Sequence, residues 1–208
     1  TGILTFAYKN ITKDGSEGTI DTNYLFIETA SNVLPLFGDE ITRWNGIYSY
    51  QLLNLLIGNY SSTTIGNNFL YGCYSFTQTL DLSGITSMGD NFLRSCYSFN
   101  QPLDLSGITS IGNNFLYGCY SFNQPLTIPT NVNSIGSNFL SYCYTFNQPI
   151  DLSNVITIGD DFLSYCYTFN QPLDLSGVSS IGGSFLRYCY SFNQPIDLGN
   201  VTTIGNNF

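Results

Sequence analysis

The chain has no histidine, and that absence removes several chemistries at once. Ser-His-Asp and Cys-His nucleophile activation both need an imidazole as general base, and every His-containing metal site goes with them. Charge is scarce as well: Asp, Glu, Lys and Arg make up 9% of the 208 residues, against roughly 25% in an average domain. Five Lys plus Arg face fourteen Asp plus Glu for a net charge of -9, and no stretch gathers the basic cluster that tracking a phosphate backbone requires. Nucleic acid is therefore not an expected partner. The longest apolar run, Leu52 to Ile57, is interrupted by Asn54 and falls far short of the roughly 20 residues that span a bilayer. No membrane helix is expected. Thr1 opens the chain without the basic flank, apolar core and cleavage site of a signal peptide, so such a peptide is absent or already removed and export is not decided from this end.

What the chain does have is a hydrophobic content of 43%, normal for one sizeable folded domain, and 16% aromatic residues. Asn, Ser, Thr and Gly fill the polar positions, which makes a polar but nearly uncharged surface. The main fact is an internal repeat. Aligned on cysteine, the chain gives Cys73, Cys96, Cys119, Cys143, Cys166 and Cys189, with steps of 23, 23, 24, 23 and 23 residues. A fixed period of this size settles architecture more firmly than local propensity does. The extra residue falls where Leu126–Val132 replaces the Leu103–Ile108 type of segment, so a turn absorbs it and the core register survives.

Each position of the unit has a mechanical reading. Leu103 and Leu105 alternate with Asp104, the period-2 pattern of a short strand with one buried face, and Ser106-Gly107 turns the chain. This strand is expected to pair in parallel with its copies. Ile108 and Ile111 continue the inward set, and glycine at 66, 89, 112, 136, 159, 182 and 205 marks a recurrent sharp corner. Asn114 through Cys119 is too short for a free helix and reads as one helical or 3₁₀ turn on the opposite side of the coil. Phe122 returns the chain to the core. A single unit cannot bury these apolar positions alone; stacked copies can, at about 4.8 Å per strand and about 29 Å for six copies.

The run from Ile128 through Cys143, with its Ile-Pro-x-x-Val-x-x-Ile-Gly-x-x-Phe-x-x-x-Cys pattern, resembles the BspA-like leucine-rich repeats, also called the Treponema pallidum type. The Phe-Asn-Gln-Pro string beginning at Phe99, Phe122, Phe146, Phe169 and Phe192 is similar to repeats of mycoplasma surface proteins and, more loosely, to the FNIP repeats of amoebae and giant viruses. The resemblance covers Ile65 to Phe208. It implies a right-handed solenoid with a parallel sheet and no catalysis, exposed at a microbial surface, in a virion or in a phage tail. One departure is that Leu follows Phe where the BspA pattern usually carries Ala before it.

Residues 1–64 lack the period, carry most of the Lys and Glu, Lys9 and Lys13 included, and hold the only Trp, Trp44. They read as an N-terminal cap over the open end of the solenoid, which occupies residues 65–208. Strands are expected at Ile3–Tyr8 and Thr22–Glu28, with a helix or distorted coil at Ile47–Ile57. The sharper alternative is an attachment module for a larger assembly. The last unit, Val201 to Phe208, breaks off in mid-pattern without a matching cap, so the chain is expected to continue.

The chemistry-bearing residues form columns. The six cysteines read as a buried, reduced ladder of small hydrophobes, since in-register side chains on adjacent coils point the same way. Neither disulfides nor metal is expected, and no Cys-x-x-Cys pair exists for zinc. Asp81, Asp104, Asp151, Asp174 and Asp197, interrupted by Thr127, should face solvent. A solvated face is preferred there to bridging calcium, and the uniform environment gives no means of separating an acid from a base. Asn100, Asn123, Asn147, Asn170 and Asn193, with Gln101, Gln124 and Gln148, should tie turn backbone together along the stack. Tyr74, Tyr97, Tyr120, Tyr144, Tyr167 and Tyr190 each follow a core Cys, so they fall outside it, either walling the coil or offering contact area. Sequons at Asn10, Asn59 and Asn200 are expected by chance in so Asn-rich a chain.

The expectation is a non-enzymatic repeat module without cofactor or metal, surface-exposed or extracellular, that recognises protein or glycan through its Asp and Tyr columns. The alternative is a structural spacer or receptor-binding component of a virion, phage tail or cell-envelope assembly, where the partners are neighbouring subunits.

Overall fold

The computed structural model describes residues 63–208 together with three short strands, Leu4–Thr5, Phe26–Ile27 and Val33–Leu34. The first two, β1 and β2, pair antiparallel, Leu4 opposite Ile27, inside the segments expected as strands. The third, β3, pairs in parallel with Thr64–Ile65 (β4), which pairs with Ser87–Met88 (β5). A second parallel sheet runs Ser134–Ile135 (β6), Thr157–Ile158 (β7), Ser180–Ile181 (β8) and Thr203–Ile204 (β9). The ladder thus begins before the first periodic unit. The helix or coil expected at Ile47–Ile57 lies outside the described residues, as do Lys9, Lys13 and Trp44.

The parallel strands correct one expectation. They sit on the Ser/Thr-Ile or Ser-Met pair that precedes the repeated glycine, not on the Leu-Asp-Leu segment. Leu103 and Leu105 are buried and Asp104 is exposed, so the alternation was read properly, but its backbone is busy elsewhere. Pro102 precedes it and brings no N–H. Asp104 Oδ1 then accepts the Ser106 N–H at 2.9 Å, a local turn that competes with pairing between coils, and the Ile108 N–H closes onto the Leu105 carbonyl at 2.8 Å.

A second correction concerns the Asn114–Cys119 segment, which is neither α-helical nor 3₁₀. Every second residue there has positive φ: Asn91 at 62°, Leu93 at 54° and Ser95 at 61° in one unit, with Asn, Asp or Ser, then Leu, then Gly or Tyr repeating the triplet elsewhere. A right-handed helix cannot pass through left-handed residues. The alternation instead aims N–H groups at neighbouring coils by turns. Asn91 donates forward to the Asn113 carbonyl, Leu93 backward to Phe69 and Ser95 forward to Tyr117, at 2.7–2.8 Å. The solenoid therefore carries a second hydrogen-bonded ladder opposite the strands. A left-handed leucine costs about 1–2 kcal/mol. Full burial of Leu93, Leu116, Leu140 and Leu163 returns about 1.5–3 kcal/mol each, so the turn persists in every copy.

The repeated glycine is not a conformational corner. Its φ is ordinary; what it needs is the absence of a side chain. A Cβ on Gly112 would lie 2.7 Å from the Gly89 carbonyl carbon, and one on Gly159 2.6 Å from the Ser137 nitrogen. Coils can approach this closely only glycine on glycine.

The core is continuous. Phe69, Phe92, Phe115, Phe139 and Phe162 stack with centroids 5.3–5.7 Å apart, and the Phe76–Phe99–Phe122–Phe146–Phe169 column follows the same rule at 5.6–6.0 Å. In the long unit Leu126, Ile128, Pro129 and Val132 are all buried, where regular units bury three residues. The Val132 N–H still closes a four-residue turn, onto the Pro129 carbonyl at 2.9 Å, as Ile108 does onto Leu105, so the extra residue is taken up between Leu126 and Pro129.

Candidate recognition surface

Tyr74, Tyr97, Tyr120, Tyr144, Tyr167 and Tyr190 stand directly over one another. Adjacent rings stack at 4.4–5.4 Å, within 4–21° of parallel. The four interior tyrosines are partly buried, and the terminal ones, Tyr74 and Tyr190, are 55% and 76% exposed. Burial, followed by the neighbouring phenol, raises the pKa of Tyr97, Tyr120 and Tyr144. Each stacked pair contributes about 0.5–1.5 kcal/mol beyond its area. Stacking also consumes both faces of every interior ring. What remains for a partner is an edge and a hydroxyl.

A second column beside it was missed in the sequence. Arg94 lies over the rings of Tyr71 (5.4 Å) and Tyr117 (4.8 Å), and its guanidinium donates to Asn91 Oδ1 at 3.1 Å. The column continues through Tyr142, Tyr165 and Tyr188, with Arg187 over the last ring at 4.7 Å and donating to its hydroxyl. The two columns meet edge to face: Tyr142 with Tyr144, Tyr165 with Tyr167 and Tyr188 with Tyr190, at 6.0–6.3 Å. The signal was available in the tyrosine or arginine between Leu and Cys of each unit, but it shifts by one position. Tyr117 follows Leu116 directly, whereas Tyr142 follows Leu140 after Ser141, and their rings tilt by 51°. The repeat region's two cations, Arg94 and Arg187, both belong to this wall.

The aspartates lie elsewhere on the coil, and no ring contact or hydrogen bond joins them to the tyrosines among the described residues. Asp81, Asp104, Asp151, Asp174 and Asp197 each accept the N–H two residues on at 2.9 Å. For Asp81, Asp104 and Asp151 that backbone bond, then the Ser hydroxyl, lowers the pKa; for Asp174 the hydroxyl leads. No group of three or more His, Cys, Asp or Glu among the described residues could hold a metal.

The amide column binds coils together. Asn100 Oδ1 accepts the Asn123 N–H, Asn123 that of Asn147, Asn147 that of Asn170 and Asn170 that of Asn193, at 2.8–2.9 Å, while Gln124 and Gln148 donate to the same oxygens. Two further polar ladders, unread in the sequence, follow each corner glycine. Asn67 accepts from the Asp90 N–H and Asp90 from Asn113; Asn91 and Asn114 donate to the amides one coil earlier.

All six cysteines are free, and five are buried. Each of Cys96, Cys119, Cys143, Cys166 and Cys189 donates its thiol to a leucine carbonyl of the preceding coil at 3.0–3.2 Å. Burial pushes the Cys73 and Cys189 thiols up to about 12 and the interior ones further in the same direction.

Stacked coils of near-identical length, a two-residue parallel strand or an isolated parallel bridge in each, and a leucine- and phenylalanine-filled interior define a tandem-repeat solenoid of the leucine-rich type. Comparison with known families agrees: the BspA type leucine rich repeat region matches six copies over residues 45–146 and 86–208. The chain belongs to that family. The match opens at residue 45, inside the region set apart as a cap. No curated protein and no solved structure matches the chain. Among the described residues no helix is long and apolar enough to cross a membrane.

Proposed function

We propose that the stack is a non-enzymatic protein-binding module at a cell or particle surface, and that its contact face is the double tyrosine and arginine wall. The carrying observation is the wall itself: two aromatic columns sharing edges, both of the repeat region's cations, and partial exposure along the whole length. Tyrosine and arginine are the residues that anchor protein contacts, because they add large, stiff, amphipathic area at little entropic cost. Family membership supports the same reading, since such repeats generally serve protein binding. Of the two ligand classes expected from the sequence, the geometry favours protein over glycan. A sugar stacks on an open aromatic face, and the interior rings have none to offer. The aspartate column contributes a rim of exposed carboxylates to the coil.

The test is photo-crosslinking from the wall of the intact chain on its natural surface. With p-benzoylphenylalanine at Tyr144, a discrete adduct with a polypeptide is expected, and none from the same group at Ser176 on an exposed turn of a regular unit. Failure of the Tyr144 position to yield any polypeptide adduct would remove the wall from consideration. A second reading, a structural spacer in a virion, phage tail or envelope, draws on the density of ladders that tie coil to coil. It expects adducts only with neighbouring subunits of the assembly.

A further inference from the structure

The 24-residue step leaves a mark on the strand face. Between the coils of Ser110 and Ser134 the surface opens into a cleft of about 220 Å³, lined by Thr109, Ser110, Ile111, Asn113, Asn133 and Ser134. The backbone explains the opening. At other levels the residue before the strand position donates its N–H to its counterpart one coil earlier: Thr86 to Thr63, Thr109 to Thr86, Ile156 to Asn133, Ser179 to Ile156 and Thr202 to Ser179, all at 2.7–2.9 Å. The equivalent bond from Asn133 to the Thr109 carbonyl is not made among the described residues, and both residues line the cleft. The regular strands also part at this level, leaving only the isolated bridges Ser87 to Ser110 and Ile111 to Ile135. Strand-position hydroxyls pair just before and just after this level, as they do not further along the stack between Thr157 and Ser180. Ser87 meets Ser110 at 3.1 Å, and Thr157 donates to Ser134 at 2.8 Å, but Ser110 and Ser134 do not bond to each other. The Asn133 carboxamide has no partner among the described residues.

We propose that this cleft is a binding pocket for a neutral amide group of a partner protein, a backbone peptide unit or an Asn or Gln side chain, which completes the missing rung. An unpaired carbonyl and an unpaired N–H one rung apart complement a group that donates and accepts in one plane. A flanking carboxamide and two hydroxyls can hold its remaining valences. The lining residues carry no charge, so an ion entering would be desolvated without a counterion. A purely apolar group would leave donor and acceptor unsatisfied. The pocket rests on the protein-binding reading and supplies that reading with a specific anchor on a second face.

The experiment titrates the ¹⁵N-labelled chain with N-methylacetamide, followed by amide chemical shifts, with sodium acetate and methyl glucoside as comparison probes. Saturable shifts at Ser110, Asn133 and Ser134 are expected with the amide alone. Deleting Pro129, which restores the 23-residue step, should abolish them. Asn133→Thr, the residue its column carries at Thr86 and Thr109, should weaken the saturation about fivefold, the loss of one hydrogen bond, and serves if the deletion fails to fold. No saturable shift, equal shifts in both variants, or tighter saturation by acetate or glucoside would overturn the proposal. Persistence of the Tyr144 adduct alongside that result would confine the failure to the cleft.

Discussion

The phenol rings of Tyr144 and Tyr167 lie 4.8 Å apart and 4° from parallel, though 23 residues separate them in the chain. The spacing matches the roughly 4.8 Å between adjacent strands of a sheet, so the rings are held in contact by the backbone ladders beneath them. Side chains that stack at the natural pitch lose little further entropy by doing so.

Removing one ring from the middle of the wall breaks two stacks. Tyr144→Ala should destabilise the chain by about 1–3 kcal/mol, two stacks at the usual value, measured as a shift in urea midpoint at constant slope. Tyr144→Phe keeps the stack and should lose far less. Equal losses in the two variants would assign the effect to the hydroxyl and not to the rings.

Leu116 offers a test of the alternating turn. It is fully buried at φ 54°, and Leu116→Ile conserves volume. Ordinary core swaps of this kind cost under about 1.5 kcal/mol, but a β-branched side chain is a genuine outlier in the left-handed region. The loss should exceed that figure, whereas Ile108→Leu in the strand-side core should stay within it. Urea denaturation of the two variants checks the contrast.

Stability should fall at both ends of the pH scale, for opposite reasons. The carboxyls of Asp81, Asp104, Asp151 and Asp174 have pKa values lowered by folding. Their contribution is present above the ordinary value of 3.8 and is lost as pH falls through the folded values. The thiols are raised, so their contribution is complete below the ordinary 9.0 and is lost as pH rises towards about 12 for Cys73 and Cys189. Urea midpoints should form a plateau with shoulders on either side, and Cys119→Ala should flatten the alkaline one. A midpoint that stays constant well above pH 9 would mean the thiols are not protected.

Much of this was legible before any coordinates. The period identified a stack, residue type identified which positions face inward, and the cysteine, phenylalanine and Asn-Gln columns follow directly from in-register copies. Family membership was equally readable, from the recurrent spacing of Ile-Gly, Phe and Cys, and the family match over residues 45–146 and 86–208 agrees with it.

What escaped was the routing of the backbone. Leu103-Asp104-Leu105 has the alternation of a strand, yet Pro102 before it has no N–H, the Ser106 N–H after it is held by the Asp104 carboxylate, and the Leu105 carbonyl accepts from Ile108. The left-handed residues of the opposite turn leave no trace in local propensity, since a leucine gives no sign of tolerating positive φ until its burial in the stack is known.

By itself the sequence determined the period, the inward and outward faces, and the absence of histidine chemistry, because each depends on residue identity repeated at a fixed interval. Only the tertiary structure decided which segments bond between coils, that the tyrosine faces are spent on each other, and that the one extra residue, in the Leu126–Val132 segment, coincides with an opened rung beside Asn133. Those outcomes depend on the distance between coils, and that distance is set by the glycine-on-glycine contact of the whole stack.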